Sequence, residues 1–136
     1  MKPPCEIMTD YVLPAVRAQI ARELIEKHEF TQASAAEKLG LTQSAMSRYL
    51  AMNRGSRTEL SDETIHTLET IAEDLATRDS PSTLTIQEIC GICLNMRKSG
   101  DFCKLHRDLD NGIPDSCDIC LKLLRTESPH LYPIEK

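Results

Sequence analysis

The chain has no tryptophan, and only two phenylalanines and three tyrosines stand among its 136 residues. An aromatic-rich design is thereby excluded. No apolar run approaches the roughly 20 residues that a membrane-spanning helix needs, and the first ten residues, MKPPCEIMTD, hold no apolar signal-peptide core. The expectation is a cytoplasmic protein with no membrane partner. Strand-like alternation is missing from residues 10–78. There is no phosphate-cradling glycine loop and no paired nucleophile and base, so the chain is read as a non-enzyme with no catalytic residues. One further absence is local. Between Lys38 and Thr58 there are four basic residues and no acidic one, although the whole chain carries a net charge of −5. A positive patch on an acidic protein suits DNA, because it orients the encounter.

What is present is organised around Thr31–Leu50, TQASAAEKLGLTQSAMSRYL. It reads as two short helices joined by a tight turn. Ala35, Ala36, Leu39, Leu41, Met46, Tyr49 and Leu50 form the inside. Ala36 is small enough for helices to meet at a steep angle, and Gly40 can supply a left-handed turn. Thr31 and Thr42 stand where N-caps belong. The second helix then presents Gln43, Ser44, Ser47 and Arg48 outward, the layout of a DNA-reading helix-turn-helix.

Around this pair the hydrophobic content of 40% supports a folded protein. Pro3 and Pro4 predict an extended, mobile start. A helix is expected from about Asp10, with Pro14 in its first turn and Leu13, Val16, Ile20, Leu24 and Ile25 at helical spacing. The polar segment Asn53–Arg57 reads as a loop, and Ser61 caps a further helix with Ile65, Leu68, Ile71, Ala72 and Leu75 on one face. Asp79-Ser80-Pro81-Ser82 is a breaker, which divides the chain into a domain of residues 1–79 and another of residues 80–136. Beyond it Leu84, Ile86, Ile89, Cys90, Cys93 and Met96 recur at helical spacing up to Gly100. Residues 108–115 form a turn-rich loop, and Ser116 can cap a short helix through Arg125.

On Gln32, Ala36, Leu39-Gly40-Leu41, Thr42-Gln43-Ser44, Met46 and Tyr49-Leu50, the segment Thr31–Leu50 resembles the Cro/C1 (lambda-repressor-like, XRE) family of DNA-binding domains. Residues 10–78 resemble it more loosely. The resemblance implies that Gln32 anchors a backbone phosphate and that Gln43, just after Thr42, contacts a base, with adenine a suitable bidentate partner. Ser44, Ser47 and Arg48 become groove contacts. Arg54 and Arg57 are added from charge and position as phosphate neutralisers.

Six cysteines in a reducing compartment stay reduced unless something binds them. Cys5 stands alone and reads as a structural or surface thiol. The others run Cys90-x2-Cys93-x9-Cys103-x13-Cys117-x2-Cys120, with His106 a possible further ligand. Two Cys-x-x-Cys pairs are a metal signal. Zinc would take four of the thiolates. The residues after each pair favour helix over a zinc knuckle, however, and the apolar neighbours Ile89, Ile92, Ile119 and Leu121 suit the shielding an iron-sulfur cluster wants. Dithiol switching without metal is the third reading. A helix-turn-helix followed by such a cysteine cluster also resembles a set of predicted archaeal transcription regulators, over most of the chain.

The sequence therefore leads to a mainly α fold: a lambda-repressor-like helix-turn-helix domain plus a small cysteine-rich metal-binding domain. The expected function is a sequence-specific transcription regulator that binds a double-stranded DNA operator as a homodimer. A cysteine-ligated iron-sulfur cluster, of the four-iron four-sulfur kind, would sense redox state, oxygen or iron. The alternatives are a DNA-binding protein with a structural zinc, or a redox or electron-transfer protein.

Overall fold

The computed structural model describes residues 1–51, 59–78 and 82–125. These are mainly helical, and no strand occurs among them. In chain order the helices are α1 (Pro4–Ile7), a π-helical turn (Met8–Val12), α2 (Leu13–Lys27), α3 (Gln32–Leu39), α4 (Gln43–Ala51), α5 (Asp62–Thr77), α6 (Ser82–Ser99), α7 (Asp101–Leu109) and α8 (Ile119–Arg125).

The chain start departs from its expected extended form. Pro4 sits at the first position of α1, where the missing N–H costs nothing. Ile7 and Met8 are then buried in the core, and their burial holds the segment down. Helix therefore begins six residues ahead of Asp10. The π-helical turn reconciles this early start with Pro14. Leu13 donates its N–H to the Met8 carbonyl, five residues back, so the ladder passes around a residue with no N–H to give.

Helix α2 is the central element, with α3, α4 and α5 packed on it. Val12, Val16, Ile20, Ala21 and Leu24 are fully enclosed. It ends where Glu29 takes a left-handed φ of 59° and the Phe30 N–H returns to the Leu24 carbonyl. Ser61 caps α5 by accepting the Thr64 N–H, and Leu68, Ile71, Ala72 and Leu75 face the core as their spacing requires. A polar clasp joins α2 to α5. Lys27 lies 2.8 Å from the buried Glu23 carboxylate and 3.4 Å from Glu69. The hydrogen bond to Glu23 raises the Lys27 pKa above its ordinary 10.5.

The C-terminal helices share this core. Ile92 and Met96 of α6, Phe102 and Leu105 of α7, and Cys120 of α8 belong to the same connected set of buried residues as Ile7, Val16 and Leu68. Helix α7 has no counterpart in the pattern reading, which assigns nothing between Gly100 and Asp108. Gly100 adopts φ 87° and turns the chain sharply from α6 into α7. Ser116 does not cap α8, which begins three residues later. The breaker residues 79–81 lie outside the described residues.

A clamp ties the chain start to the end of α7. The Lys2 N–H donates to the Asp110 carboxylate at 2.9 Å, and the Lys2 carbonyl lies 2.8 Å from His106 Nε2. The Lys2 N–H, then the Gly112 N–H, holds the Asp110 pKa below its ordinary 3.8. A depressed carboxylate contributes stability above its unfolded pKa and loses it as pH falls through the folded value. The clamp is therefore expected to survive to pH 4 and to open only below it. Hydrogen exchange at the Lys2 amide should accelerate there, and Asp110→Asn should remove that acid step.

Candidate nucleic-acid interface and thiol cluster

The α3–turn–α4 unit is assembled by local hydrogen bonds. Thr31 Oγ1 accepts the Ser34 N–H at 3.1 Å and starts α3. Gly40 takes φ 65° and the Leu41 N–H closes on the Ala36 carbonyl at 2.8 Å. Only a residue without a Cβ enters that conformation at little cost. Thr42 Oγ1 then accepts the Ala45 N–H at 3.1 Å and starts α4. Ala35 and Ala36 are buried, as is Met46, which pins α4 to the core.

This burial fixes which face of α4 is open. Gln43, Ser44, Ser47 and Arg48 are exposed, together with Thr42 and, at the start of α3, Gln32. Tyr49 is half-buried, and its hydroxyl accepts from Arg17 Nη1 of α2 at 3.4 Å. Of the four basic residues in the acid-free stretch, Lys38 is engaged elsewhere. Its ammonium donates to the Arg78 carbonyl just past α5, where a cation suits the helix C-terminus. Arg48 stands on the open face, while Arg54 and Arg57 lie outside the described residues.

The five clustered thiols fall on three elements. Cys90 and Cys93 sit one turn apart on α6, Cys90 exposed and Cys93 half-buried. Cys103 is on α7, half-buried. Cys120 is buried on α8, and Cys117 lies two residues ahead of that helix, so only the first pair has the wholly helical setting expected. Burial pushes the Cys93 thiol up, and the nearby Cys90 pushes it further, while Arg17 and Arg97 act the other way. Burial likewise raises Cys103, with Cys120 and Cys117 adding to the effect and Arg107 opposing it. Cys93 thus feels Cys90, and Cys103 feels the α8 end. Arg97 Nε donates to Cys120 Sγ at 3.5 Å.

Among the described residues, no three His, Cys, Asp or Glu side chains are placed to hold one metal ion. The donor set itself, five thiols, is of the softness that zinc and iron-sulfur clusters take. His106 has a visible role of its own. It is buried, its ring centroid lies 5.4 Å from that of Phe102, and its Nε2 is engaged by Lys2. Cys5 is an exposed thiol on α1.

Pattern reading missed Arg17, Arg97 and Arg107, cations that act on the thiols. Arg17 toward Cys93 and Arg97 toward Cys120 act across helix–helix contacts and leave no spacing signal, whereas Arg97 with Cys93 and Arg107 with Cys103 stand four residues apart on one helix, a spacing that could have found them. Comparison with family models, curated proteins and solved structures finds no match to this chain. No helix among the described residues is long and apolar enough to cross a membrane.

Proposed function

We propose that the chain is a sequence-specific DNA-binding regulator that acts as a homodimer on a double-stranded operator, with α4 as the base-reading helix. The observation that carries this reading is the sidedness of α4. Met46 is wholly buried while Gln43, Ser44, Ser47 and Arg48 on the same nine-residue helix are open. A helix anchored on its apolar side, here by Met46 with Leu50, and open along a polar edge can enter a major groove without unpacking the protein. Gln43, in the first turn, is at the end that reaches base edges, and its amide can pair bidentately with adenine. Gln32 supplies a phosphate contact, Ser44, Ser47 and Arg48 supply groove contacts, and the clustered thiols form the responsive part of the molecule.

The test begins with a site selected from random duplexes. Gln43→Ala should weaken binding to the selected site by about 1–3 kcal/mol, the worth of one bidentate base contact. Binding to unrelated DNA should stay within about twofold, since phosphate contacts dominate it. A loss of equal size on both duplexes would remove the base-reading role from α4.

A further inference from the structure

Large apolar side chains stand open on the helices that carry the cysteines. Leu84, Ile86 and Leu94 of α6 and Ile119 and Leu123 of α8 are 38–56% exposed. Ile86, Cys90 and Leu94 recur every four residues and so form one stripe along α6, with Cys93 beside Cys90 on the neighbouring row. Gly91 lies in mid-helix, where glycine weakens a helix. A Cβ built there would meet nothing within 4 Å, so no neighbour inside the chain calls for a glycine. Its absence of side chain, next to an exposed thiol, leaves room for a second backbone to come close. The Cys90–Cys93 pair has two thiols on this face and no third ligand from its own chain.

We propose that Cys90 and Cys93 of two copies of this chain, packed α6 against α6 about a two-fold axis, together hold one metal centre through four thiolates. The proposal rests on the regulator reading only in taking the thiols as the responsive element, and it adds where their centre sits. A two-fold axis makes each copy contribute the same pair, which completes the set that one chain leaves half-filled. With the helices antiparallel and crossing at Cys90 and Gly91, Ile86 meets the partner's Leu94 on either side of the centre and keeps water away from it. Each thiol gives its proton to solvent as it ligates, so binding releases protons. Zinc and an iron-sulfur cluster share this four-thiolate chemistry.

Size decides that the metal is needed. The open side chains amount to a few hundred Å² of apolar surface, on the order of the largest patch of an ordinary monomer. A standard interface buries about 800 Å² per partner. The apolar contact alone is thus short of a stable dimer, and metal occupancy controls assembly.

The full chain, prepared without oxygen and stripped of metal, is titrated with Zn²⁺ alone or with ferrous iron and sulfide. Mass is followed by light scattering and content by metal analysis. Conversion of monomer to dimer at one zinc, or one cluster, per two chains is the expected result in either arm. Cys90→Ser and Cys93→Ser should abolish the metal-dependent dimer, whereas Cys103→Ser and Cys117→Ser should keep it. Gly91→Leu retains every thiol and fits the open space in one chain, yet should weaken the dimer at least tenfold. One metal per monomer, or loss of metal in Cys103→Ser but not in Cys90→Ser, would overturn this placement and leave a metal-responsive regulator standing. A dimer indifferent to metal and to Cys90→Ser would overturn it too. If no form of the chain takes up metal, the proposal falls together with any metal-based response, while DNA reading by α4 is decided separately by Gln43→Ala.

Discussion

Phe102→Ala is expected to destabilise the protein by about 3–5 kcal/mol, the usual cost of emptying a buried phenylalanine site. Phe102 is the largest of the wholly enclosed side chains. It lies in the first turn of α7, directly after the Gly100 turn, so the helix cannot slide to fill the space. Its ring also backs His106, whose Nε2 holds the Lys2 carbonyl. The cavity should therefore weaken the clamp on the chain start as well as the seat of α7. Urea denaturation followed by circular dichroism measures the loss, and hydrogen exchange at Lys2 reports the clamp. A change below about 1 kcal/mol would mean that α7 does not pack on the shared core.

Met46→Ala should cost about 2–5 kcal/mol by the same physics. Met46 is the one fully buried residue of α4, and its neighbours on that helix are half-buried at most. Removing it leaves α4 held by the half-buried Leu50, by the Thr42 cap and by the Arg17–Tyr49 contact, which is long at 3.4 Å. Affinity for a selected DNA site should fall even at temperatures where the chain stays folded, because the polar edge loses its fixed orientation. Met46→Leu, similar in volume, should cost less than about 1.5 kcal/mol and retain binding. Equal behaviour of the two variants would argue that α4 is positioned by something other than this side chain.

These two sites differ in how far pattern could reach them. Met46 is legible because its unit is built from bonds spanning at most five residues: a threonine cap, a glycine turn, a second threonine cap. Each needs only the right side chain at the right step, and α5 is legible for the same reason through Ser61 and its apolar row. Phe102 and α7 were not. The helix has nine residues, opens on a glycine, and carries its cysteine and histidine among apolar residues, so the spacing of possible ligands masks the helical period. The chain start misled in the opposite sense. Two prolines argue for extended backbone, but burial of Ile7 and Met8 outweighs that local preference, and a π-helical turn absorbs the cost at Pro14.

By itself, then, the sequence determined α3, α4 and α5 with their caps, the body of α2, the open polar edge of α4, and the placement of Cys90 and Cys93 on one helix. All of these depend on hydrogen bonds and side-chain spacings within a turn or two. The tertiary structure alone decided that Asp110 and His106 hold Lys2, that Lys38 caps α5 at Arg78, and that Arg17 meets Tyr49. Those partners are 32 to 108 residues apart. Whether they meet depends on the angles and volumes at which whole helices pack, and no local periodicity carries that information.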